Sequence, residues 1–313
     1  MASAEGACRT AHSIPTWKNG KSFLTKIHFC GNFYFMSRYD LIAFDMDGTL
    51  LDSGKKIRDD SLSMIKKAAA QGKTVCLSTG RCLPELLPYE KELSDVRYFI
   101  CISGALVYDN QKKCALEKNA VPDDEAEKIF ERIRGRDLMV HLLSDDSVVE
   151  KSKVTQMERY RMGIYSETFN KITLQVDDAA EYWRKTRIPL YKINLYSKSV
   201  EEREELLNLL SDLELTFAFS ETTSLECTAK NVSKGSGLEF LCGRIGIPLE
   251  KTIAVGDADN DLEILKTAGL AVAMGNANGN VKNLADVTVG GNDSGGCAQA
   301  IREFLIPQPE ISL

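Results

Sequence analysis

The sequence has 313 residues, of which 43% are hydrophobic, and it carries a formal net charge of −6 at pH 7 with a pI near 5.4. A chain of this length fits one large domain or two smaller ones and has enough apolar residues for a packed core. The acidic balance argues against a general nucleic-acid or anionic-membrane binder, and no apolar run reaches the roughly 18 residues of a membrane span.

The cysteines and histidines limit the chemistry that the chain can carry. The nine cysteines are scattered, odd in number and never form a CxxC pair, which predicts reduced thiols in a cytoplasmic protein. Only three histidines occur, His12, His28 and His141. Few histidines are therefore available for a Ser–His or Cys–His catalytic pair, and carboxylates are expected to be the catalytic groups.

Residues 1–35 differ from the rest of the chain. They show no sustained hydrophobic period, and Glu5 is their single acidic residue. Such a basic composition suits a targeting peptide, but no amphipathic helix or continuous apolar run accompanies it. The segment is predicted to be a poorly ordered or non-native extension, with Met36 beginning the globular part.

From Met36 onward the chain alternates strands and helices. A buried strand, "YDLIAFD", precedes a helix, "DDSLSMIKKAAAQG", in which Asp59 or Asp60 is the expected N-cap and Gly72 the stop. Two further strands follow, "KTVCLSTGR" and "YFICISGALVYD". The same alternation returns from Ser233, the expected cap of a helix, to the closing helix "GGCAQAIREFL". This order predicts an α/β fold with a doubly wound, Rossmann-like parallel sheet.

The middle of the chain has another character. Long charged helical patterns there mix with strands of alternating polarity, such as "KITLQV" and "YKINLY". An inserted α+β module explains the later return of the strand–helix alternation better than two consecutive domains would. The predicted division is a core of residues 36–115 plus 225–313 and an inserted cap of residues 116–224.

Polar residues end three of the predicted core strands. Asp45 and Asp47 follow the first strand, Thr79 ends the second, Asp257 ends a late one, and Lys234 begins the helix before it. Ligands bind outside the carboxyl ends of strands in open α/β sheets. Each residue alone could be a cap or a turn former, but clustered carboxylates are tolerable chiefly with a cation between them. Oxygen ligands indicate Mg²⁺, and Mg²⁺ with a lysine indicates phosphoryl transfer.

These segments resemble the four motifs of the haloacid dehalogenase superfamily, in its Cof-type branch of sugar-phosphate phosphatases with a large C2-type cap. "DMDGTLLDS" is similar to the first motif, "LSTGR" to the second and "VSKGSGLEFL" to the third. "GDADNDLEIL", followed by "AGLAVAMGNA", is similar to the fourth. The resemblance extends from Met36 to Phe304 and lies in four motifs in the family's order.

The resemblance implies a role for each matching position. Asp45 would be the nucleophile that becomes aspartyl-phosphate, Asp47 would protonate the leaving oxygen and then activate water, and Lys234 would bridge nucleophile and phosphate. The implied phosphate-binding residues are Thr79, Gly80, Arg81 and Asn260. The implied metal ligands are Asp45, the backbone carbonyl of Asp47, and Asp257. Asp261 would support these ligands around the metal.

Two positions depart from the family pattern. Ser103 stands in "ISGALVYD" where the family commonly has Asn, which puts a substrate-side contact in doubt. "GNDSGGCAQAI" replaces the usual acidic-Gly pattern, although Asn292 keeps a polar residue there.

The leading interpretation is a Mg²⁺-dependent phosphatase acting through aspartyl-phosphate on a small phosphorylated metabolite, a sugar phosphate, with no nucleic-acid or membrane partner. A sugar phosphomutase and a non-catalytic ligand-binding module are the alternatives. The cap would determine specificity and exclude water. Its candidate contacts cannot be ranked, and each is expected on the surface: Arg132, Arg159, Lys192 and Asn194.

Overall fold

A computed structural model of the chain describes residues 24–29 and 32–306, with side chains from Arg38 onward. The predicted extension thus lies largely outside the described residues. Its described part holds an antiparallel pair of strands, β1 (Leu24–Phe29) and β2 (Asn32–Ser37). The sequence analysis did not predict this pair.

The first sheet carries the predicted core strands. Its members are β3 (Leu41–Phe44), β4 (Thr74–Ser78), β5 (Tyr98–Cys101), β6 (Leu106–Asp109), β7 (Cys114–Lys118), β14 (Thr252–Gly256), β15 (Leu270–Ala273) and β16 (Val287–Thr288). They lie in the order β16-β15-β14-β3-β4-β5-β6-β7, with parallel pairing from β16 to β5. The predicted Rossmann-like parallel core is confirmed.

One predicted strand is two strands in the structure. "YFICISGALVYD" is divided into β5 and an antiparallel β6 by a sharp turn. Three successive residues, Ile102, Ser103 and Gly104, have φ of 52°, 54° and 102°. These left-handed conformations reverse the chain, and an apolar run alone does not reveal such a reversal.

The helices of the first sheet pack in two groups, α1 with α10, and α7 with α8 and α9. Their bounds are α1 (Asp59–Ala70), α7 (Lys234–Ile245), α8 (Leu262–Thr267), α9 (Gly279–Leu284) and α10 (Gly296–Ala300), which continues as a π-turn, Ile301–Leu305. The predicted cap Ser233 accepts a hydrogen bond from the Ser236 N–H. Asp59 and Asp60 are not caps but lie in the first turn of α1, where the helix dipole favours negative charge.

The second sheet is built from the middle of the chain. Its strands are β8 (Met139–Leu143), β9 (Ser147–Glu150), β10 (Leu174–Val176), β11 (Lys192–Tyr196), β12 (Leu215–Ala218) and β13 (Ser224–Ala229), in the order β10-β9-β8-β11-β13-β12. Its helices are α2 (Asp123–Arg132), α3 (Lys151–Val154), α4 (Ser166–Ile172), α5 (Ala179–Thr186) and α6 (Val200–Leu210). Trp183 lies in a hydrophobic cluster separate from that of the first sheet.

Sheet membership differs slightly from the predicted division of the chain. The strand β7 reaches Lys118 in the first sheet, and β13 begins at Ser224 in the second. The first sheet therefore uses the chain up to Lys118 and the second sheet uses it up to Ala229, whereas the division into domains at 116 and 225 stays a prediction. No helix in the described part of the chain is both long and apolar enough to cross a membrane.

Candidate active site

The turn after β3 brings two strand ends together. Asp45 follows β3 directly, is buried, and donates its N–H to the carbonyl of Val255 in β14 at 3.0 Å. Gly48 has φ +83°, and a Cβ on it would lie 2.4 Å from Asp257 Oδ2. Only glycine permits that approach. The turn also places Thr49, whose Oγ1 donates to Asp257 Oδ1 at 2.7 Å.

Lys234, the first residue of α7, connects two of the predicted acids. Its buried Nζ donates to Asp45 Oδ1 at 2.5 Å and to Asp261 Oδ1 at 2.6 Å. The other oxygen of Asp261 accepts the N–H groups of Asp257 (3.0 Å) and Ala258 (3.2 Å). Both oxygens of Asp261 are thus occupied, and its carboxylate orients Lys234 and the loop after β14.

The acids form a cluster of high negative charge. Ligand atoms of Asp45, Asp257 and Asp261 all lie within 4.8 Å of one another. Burial and the charge of Asp261 raise the pKa of Asp45, and the same two causes raise the pKa of Asp257 to about 6. Burial opposes the charge of Lys234, yet Asp261 and Asp45 outweigh it and raise the pKa of Lys234. One lysine does not offset three carboxylates.

The donor set of this cluster fits a hard divalent cation. Asp45 Oδ2 and Asp257 Oδ2 accept no hydrogen bond from any residue that the structure describes. One or two carboxylates are the usual protein contribution to a Mg²⁺ site, which is completed by water and substrate phosphate. Asp45 and Asp257 would hold the ion directly, whereas Asp261 acts through its neighbours.

Asp47 lies between two cations. Its oxygens accept from Arg81 Nε at 2.7 Å, Arg81 Nη2 at 2.8 Å and Lys55 Nζ at 2.8 Å. Burial alone would raise the pKa of Asp47, but the charges and hydrogen bonds of Arg81 and Lys55 outweigh it and bring the pKa to about 2. In this conformation Asp47 is ionised, and neither of its oxygens is free of a cation.

The predicted phosphate-binding residues line one cavity of about 120 Å³ with Asp45 and Asp47. Thr79 is buried, and its Oγ1 accepts the Arg81 N–H at 3.2 Å. The residues predicted to bind phosphate that line this cavity are Thr79, Gly80, Arg81 and Asn260. The charged residues predicted to act with them, Lys234, Asp257 and Asp261, do not line this cavity but lie close to Asp45.

A buried ion pair fastens the second sheet to this site. Lys192 Nζ donates to Gly80 O (2.8 Å), Glu226 Oε1 (2.9 Å) and Ser103 Oγ (3.1 Å). Ser103 Oγ in turn donates to Glu226 Oε2 at 2.6 Å. Ser103, the departure from the family pattern, therefore joins the two sheets, and its left-handed φ is one that Asn also tolerates.

Two of the residues expected on the surface are buried in the cavity wall. Lys192, Asn194 and Tyr196 line the cavity from alternate positions of β11, while Ile193 and Leu195 pack in the hydrophobic cluster. A strand alternates its side chains between two faces, so the pattern "KINLY" held this signal. The prediction that Lys192 and Asn194 lie on the surface was wrong. It considered each polar residue alone and did not use the two-residue alternation of side chains along the strand.

The other positions singled out from the sequence lie elsewhere. Arg132 forms an ion pair with Asp212, and Arg159 with Asp137; neither arginine lines the cavity. Asn292 Nδ2 donates to the carbonyl of Leu51 at 3.0 Å and so supports the segment after the first motif.

Three residues of the site had no signal in the sequence. Lys55 has φ +58° and reaches Tyr165 OH (3.3 Å) as well as Asp47. Tyr165 OH donates to Glu221 Oε1 at 2.6 Å. Tyr165 and Glu221 belong to the second sheet's segment and lie 110 and 166 residues after Lys55, so only tertiary packing brings them to it.

Comparisons with known proteins agree with this geometry. A family model described as haloacid dehalogenase-like hydrolase matches residues 42–301. The HMP-PP phosphatase of Serratia proteamaculans is 30% identical over 252 residues, covering 79% of this chain and 87% of its own. The pyridoxal phosphate phosphatase YbhA of Escherichia coli is 27% identical over 277 residues, covering 85% and 98%. A solved haloacid dehalogenase-like hydrolase from B. subtilis superposes with a TM-score of 0.76 at 25% identity, covering 84% and 98%.

Proposed function

The chain belongs to the haloacid dehalogenase-like hydrolases and is a phosphoric monoester hydrolase, and on this premise we propose that it is a Mg²⁺-dependent phosphatase that works through an aspartyl-phosphate at Asp45. The buried Lys234 carries the proposal. It holds one oxygen of Asp45 and leaves the other, Oδ2, without a hydrogen bond from any described residue. That oxygen belongs to a cavity-lining residue and is available as a nucleophile.

The reaction has two displacements. Asp45 Oδ2 attacks phosphorus, the bond from phosphorus to the leaving oxygen breaks, and that oxygen takes a proton from Asp47. Water then attacks the phosphorus of the aspartyl-phosphate and gives a proton to Asp47, and the bond to Asp45 breaks to release phosphate. Mg²⁺, held by Asp257 and by the Asp45 oxygen that does not attack, would neutralise charge on the transferring group.

Asp47 must exchange contacts before it can donate a proton. In this structure Arg81 and Lys55 hold it as a carboxylate with a pKa of about 2. An arriving phosphate dianion offers both cations a partner of higher charge in the same cavity, and Arg81 is suited to bidentate phosphate contacts. We propose that both cations move onto the phosphate and so release Asp47, which takes up a proton from solvent before it protonates the leaving oxygen. Thr79 Oγ1, the Gly80 N–H and Asn260 hold phosphate oxygens.

The second sheet is proposed to act as the cap over this site. Lys192, Asn194 and Tyr196 line the same cavity as Asp45, so a bound ester would have its phosphate at the first sheet and its leaving group against the second. The sequence predicts a sugar phosphate as substrate. The relatives add phosphatases named for pyridoxal phosphate and HMP-PP, so the substrate panel must include those two compounds.

The test measures phosphate release from p-nitrophenyl phosphate with Mg²⁺ and with EDTA, for the wild type, Asp45→Asn and a matched Asp177→Asn variant. Asp177 is exposed and lies outside the cavity. Turnover should require Mg²⁺, fall at least 10³-fold in Asp45→Asn, and remain unchanged in Asp177→Asn. Full activity of Asp45→Asn would refute the nucleophile. In a parallel assay with a sugar phosphate as substrate, isomerised product without free phosphate would identify a mutase, and Mg²⁺-dependent binding without product would identify a binding module.

A further inference from the structure

An ammonium group lies against an aromatic ring at the edge of the catalytic cavity. Lys55 Nζ lies 4.7 Å from the ring centroid of Tyr165 and 3.3 Å from its hydroxyl oxygen. A tyrosine face attracts an ammonium group within about 6 Å through the quadrupole of its ring. Tyr165 lines the cavity that contains Asp45. One wall of that cavity is therefore suited to a cation.

Glu221 adds a carboxylate beside this ring. Tyr165 OH donates to Glu221 Oε1 at 2.6 Å, and Glu221 Oε2 accepts no hydrogen bond from the described part of the chain. The backbone of Glu221 is fixed, because its N–H donates to the buried Ser224 Oγ at 2.9 Å. Another acid of the wall, Glu226, is paired with Lys192 at 2.9 Å, whereas Glu221 forms no ion pair with any described residue. Glu221 is thus a partly exposed cavity carboxylate whose charge is unpaired.

In the proposed reaction Lys55 leaves this ring. Lys55 Nζ also donates to Asp47 Oδ1 at 2.8 Å, and the arriving phosphate dianion draws it off that carboxylate. The phosphate-binding residues Thr79 and Gly80 follow a strand of the first sheet, so a move onto the phosphate takes Nζ away from Tyr165. The ring face of Tyr165 and the charge of Glu221 are then left without a cation.

The contacts suit a cation close to the leaving oxygen. Successive contacts of 2.8, 3.3 and 2.6 Å join Asp47 to Lys55, Lys55 to Tyr165 and Tyr165 to Glu221. One ammonium group and one hydroxyl therefore bridge the gap between the two carboxylates. Asp47 must lie within hydrogen-bond distance of the leaving oxygen to protonate it. A group two carbon atoms beyond that oxygen can occupy the place of the lysine ammonium.

We propose that Tyr165 and Glu221 form a subsite for an ammonium group on the alcohol part of the substrate, which replaces Lys55 Nζ when that lysine moves onto the phosphate. The substrate class is a phosphate monoester whose alcohol carries an ammonium group two carbon atoms from the ester oxygen. A carboxylate at that place would be repelled by Glu221, and an alkyl group would leave its charge unpaired. This assignment rests on the proposed phosphatase function.

The test compares three esters of similar size on the wild-type protein with Mg²⁺: O-phosphoethanolamine, n-propyl phosphate and 2-phosphoglycolate. They place an ammonium group, a methyl group and a carboxylate at corresponding positions. The value of kcat/KM should be at least tenfold higher for O-phosphoethanolamine than for n-propyl phosphate, mainly through KM, and lowest for 2-phosphoglycolate. Equal values for the first two esters, or a preference for 2-phosphoglycolate, would overturn the subsite.

Variants locate the preference. Glu221→Gln keeps an acceptor for Tyr165 OH and removes the charge, so the ratio of kcat/KM between O-phosphoethanolamine and n-propyl phosphate should fall towards one. Tyr165→Leu removes the ring and should lower the same ratio. Glu131→Gln makes the matched change on an exposed residue of α2 outside the cavity and should leave the ratio unchanged. Both esters are measured on the same protein, so a loss of folded enzyme cancels, and a ratio that survives in both cavity variants contradicts the proposal.

Binding without turnover separates this proposal from the phosphatase proposal. Isothermal titration calorimetry of the wild type in EDTA should give a Kd for O-phosphoethanolamine at least tenfold below that for n-propyl phosphate. If this difference is present but no ester is hydrolysed with Mg²⁺, the phosphatase proposal fails and the subsite stands. If esters are hydrolysed with no difference in kcat/KM or Kd, the subsite fails alone. If neither hydrolysis nor the difference is observed, both proposals fail.

Discussion

Replacing Lys192 with methionine tests whether charge holds the buried contact between the two sheets. The Lys192 and Glu226 side chains are 1% and 2% exposed, and their charged atoms lie 2.9 Å apart. Methionine keeps most of the volume and removes the charge with all three hydrogen bonds. Glu226 would then keep Ser103 Oγ, at 2.6 Å, as its close donor.

The expected loss in the free energy of unfolding of Lys192→Met follows from the ionisation of Glu226. In the wild type, burial would raise its pKa, but Lys192 and Ser103 outweigh burial and hold the pKa below 4.5. Without Lys192 burial prevails, the folded-state pKa rises above the unfolded value, and the folded protein relieves the charge by binding a proton. Protonating a carboxyl of unfolded pKa 4.5 at pH 7.5 costs about 4 kcal/mol, at about 1.36 kcal/mol per pH unit, which limits the charge-dependent loss.

The sign of the pH dependence is opposite in the two proteins. The depressed pKa of Glu226 in the wild type gives stability that is present above pH 4.5 and lost as the pH falls. The raised pKa in Lys192→Met makes the folded variant bind more protons than the unfolded chain, so its stability recovers as the pH falls. The difference should shrink from about 4 kcal/mol at pH 7.5 to about 1.4 kcal/mol at pH 5.5.

Urea unfolding followed by far-UV circular dichroism at pH 5.5, 6.5 and 7.5 measures this difference. The double variant Lys192→Met/Glu226→Leu removes both charges and should lie within about 1 kcal/mol of the wild type. Lys185→Met, which breaks an exposed pair with Glu181, is the matched control and should leave the free energy of unfolding unchanged within error. A loss that does not change with pH, or a double variant as unstable as the single one, would refute the reasoning.

Three further predictions test other parts of the site. Lys234→Met should lower kcat for p-nitrophenyl phosphate at least 10²-fold, because it leaves Asp45 and Asp261 repelling each other. Gly48→Ala should abolish Mg²⁺-dependent turnover, because the added Cβ would displace Asp257 Oδ2; circular dichroism would check the fold. His141, with a folded pKa of about 3 against 6.5 unfolded, should make the wild type lose stability as the pH falls from 6.5, at up to about 1.36 kcal/mol per pH unit; His141→Phe should flatten that slope in urea titrations.

The part of the site that lies on the first sheet could be predicted from the sequence, because short local motifs indicate its residues. A buried apolar run that ends in "DMDGT" places Asp45 at a strand end, and the cap Ser233 starts the helix that carries Lys234. Parallel strands then bring those ends to one edge. Short spacings and a general rule of α/β sheets are sufficient to gather these residues.

The second-sheet part was not accessible because it depends on long-range packing. Lys55 meets Tyr165 across 110 residues, and Ser103 meets Glu226 across 123. The alternation in "KINLY" separates Lys192 and Asn194 from the apolar positions. It does not show which face of the strand points to the cavity. The chain reversal at Ile102 and Ser103 could not be predicted from the sequence either, because left-handed conformations are uncommon for these residue types.

Both members of the buried ion pair lie in the second sheet, so the pair itself does not span the contact between the two sheets. Lys192 and Glu226 both belong to the second sheet, on the paired strands β11 and β13. Moving that sheet away from the first breaks the Lys192 contacts to Gly80 O and Ser103 Oγ and the Ser103 contact to Glu226, but not the ion pair itself. Each lost hydrogen bond contributes about 1.5–3 kcal/mol when one partner is charged, and water replaces much of it. If the second sheet moves away from the first, the buried charges would therefore stay together, and β11, which makes the contact to Gly80, would carry Asn194 back to the site on return.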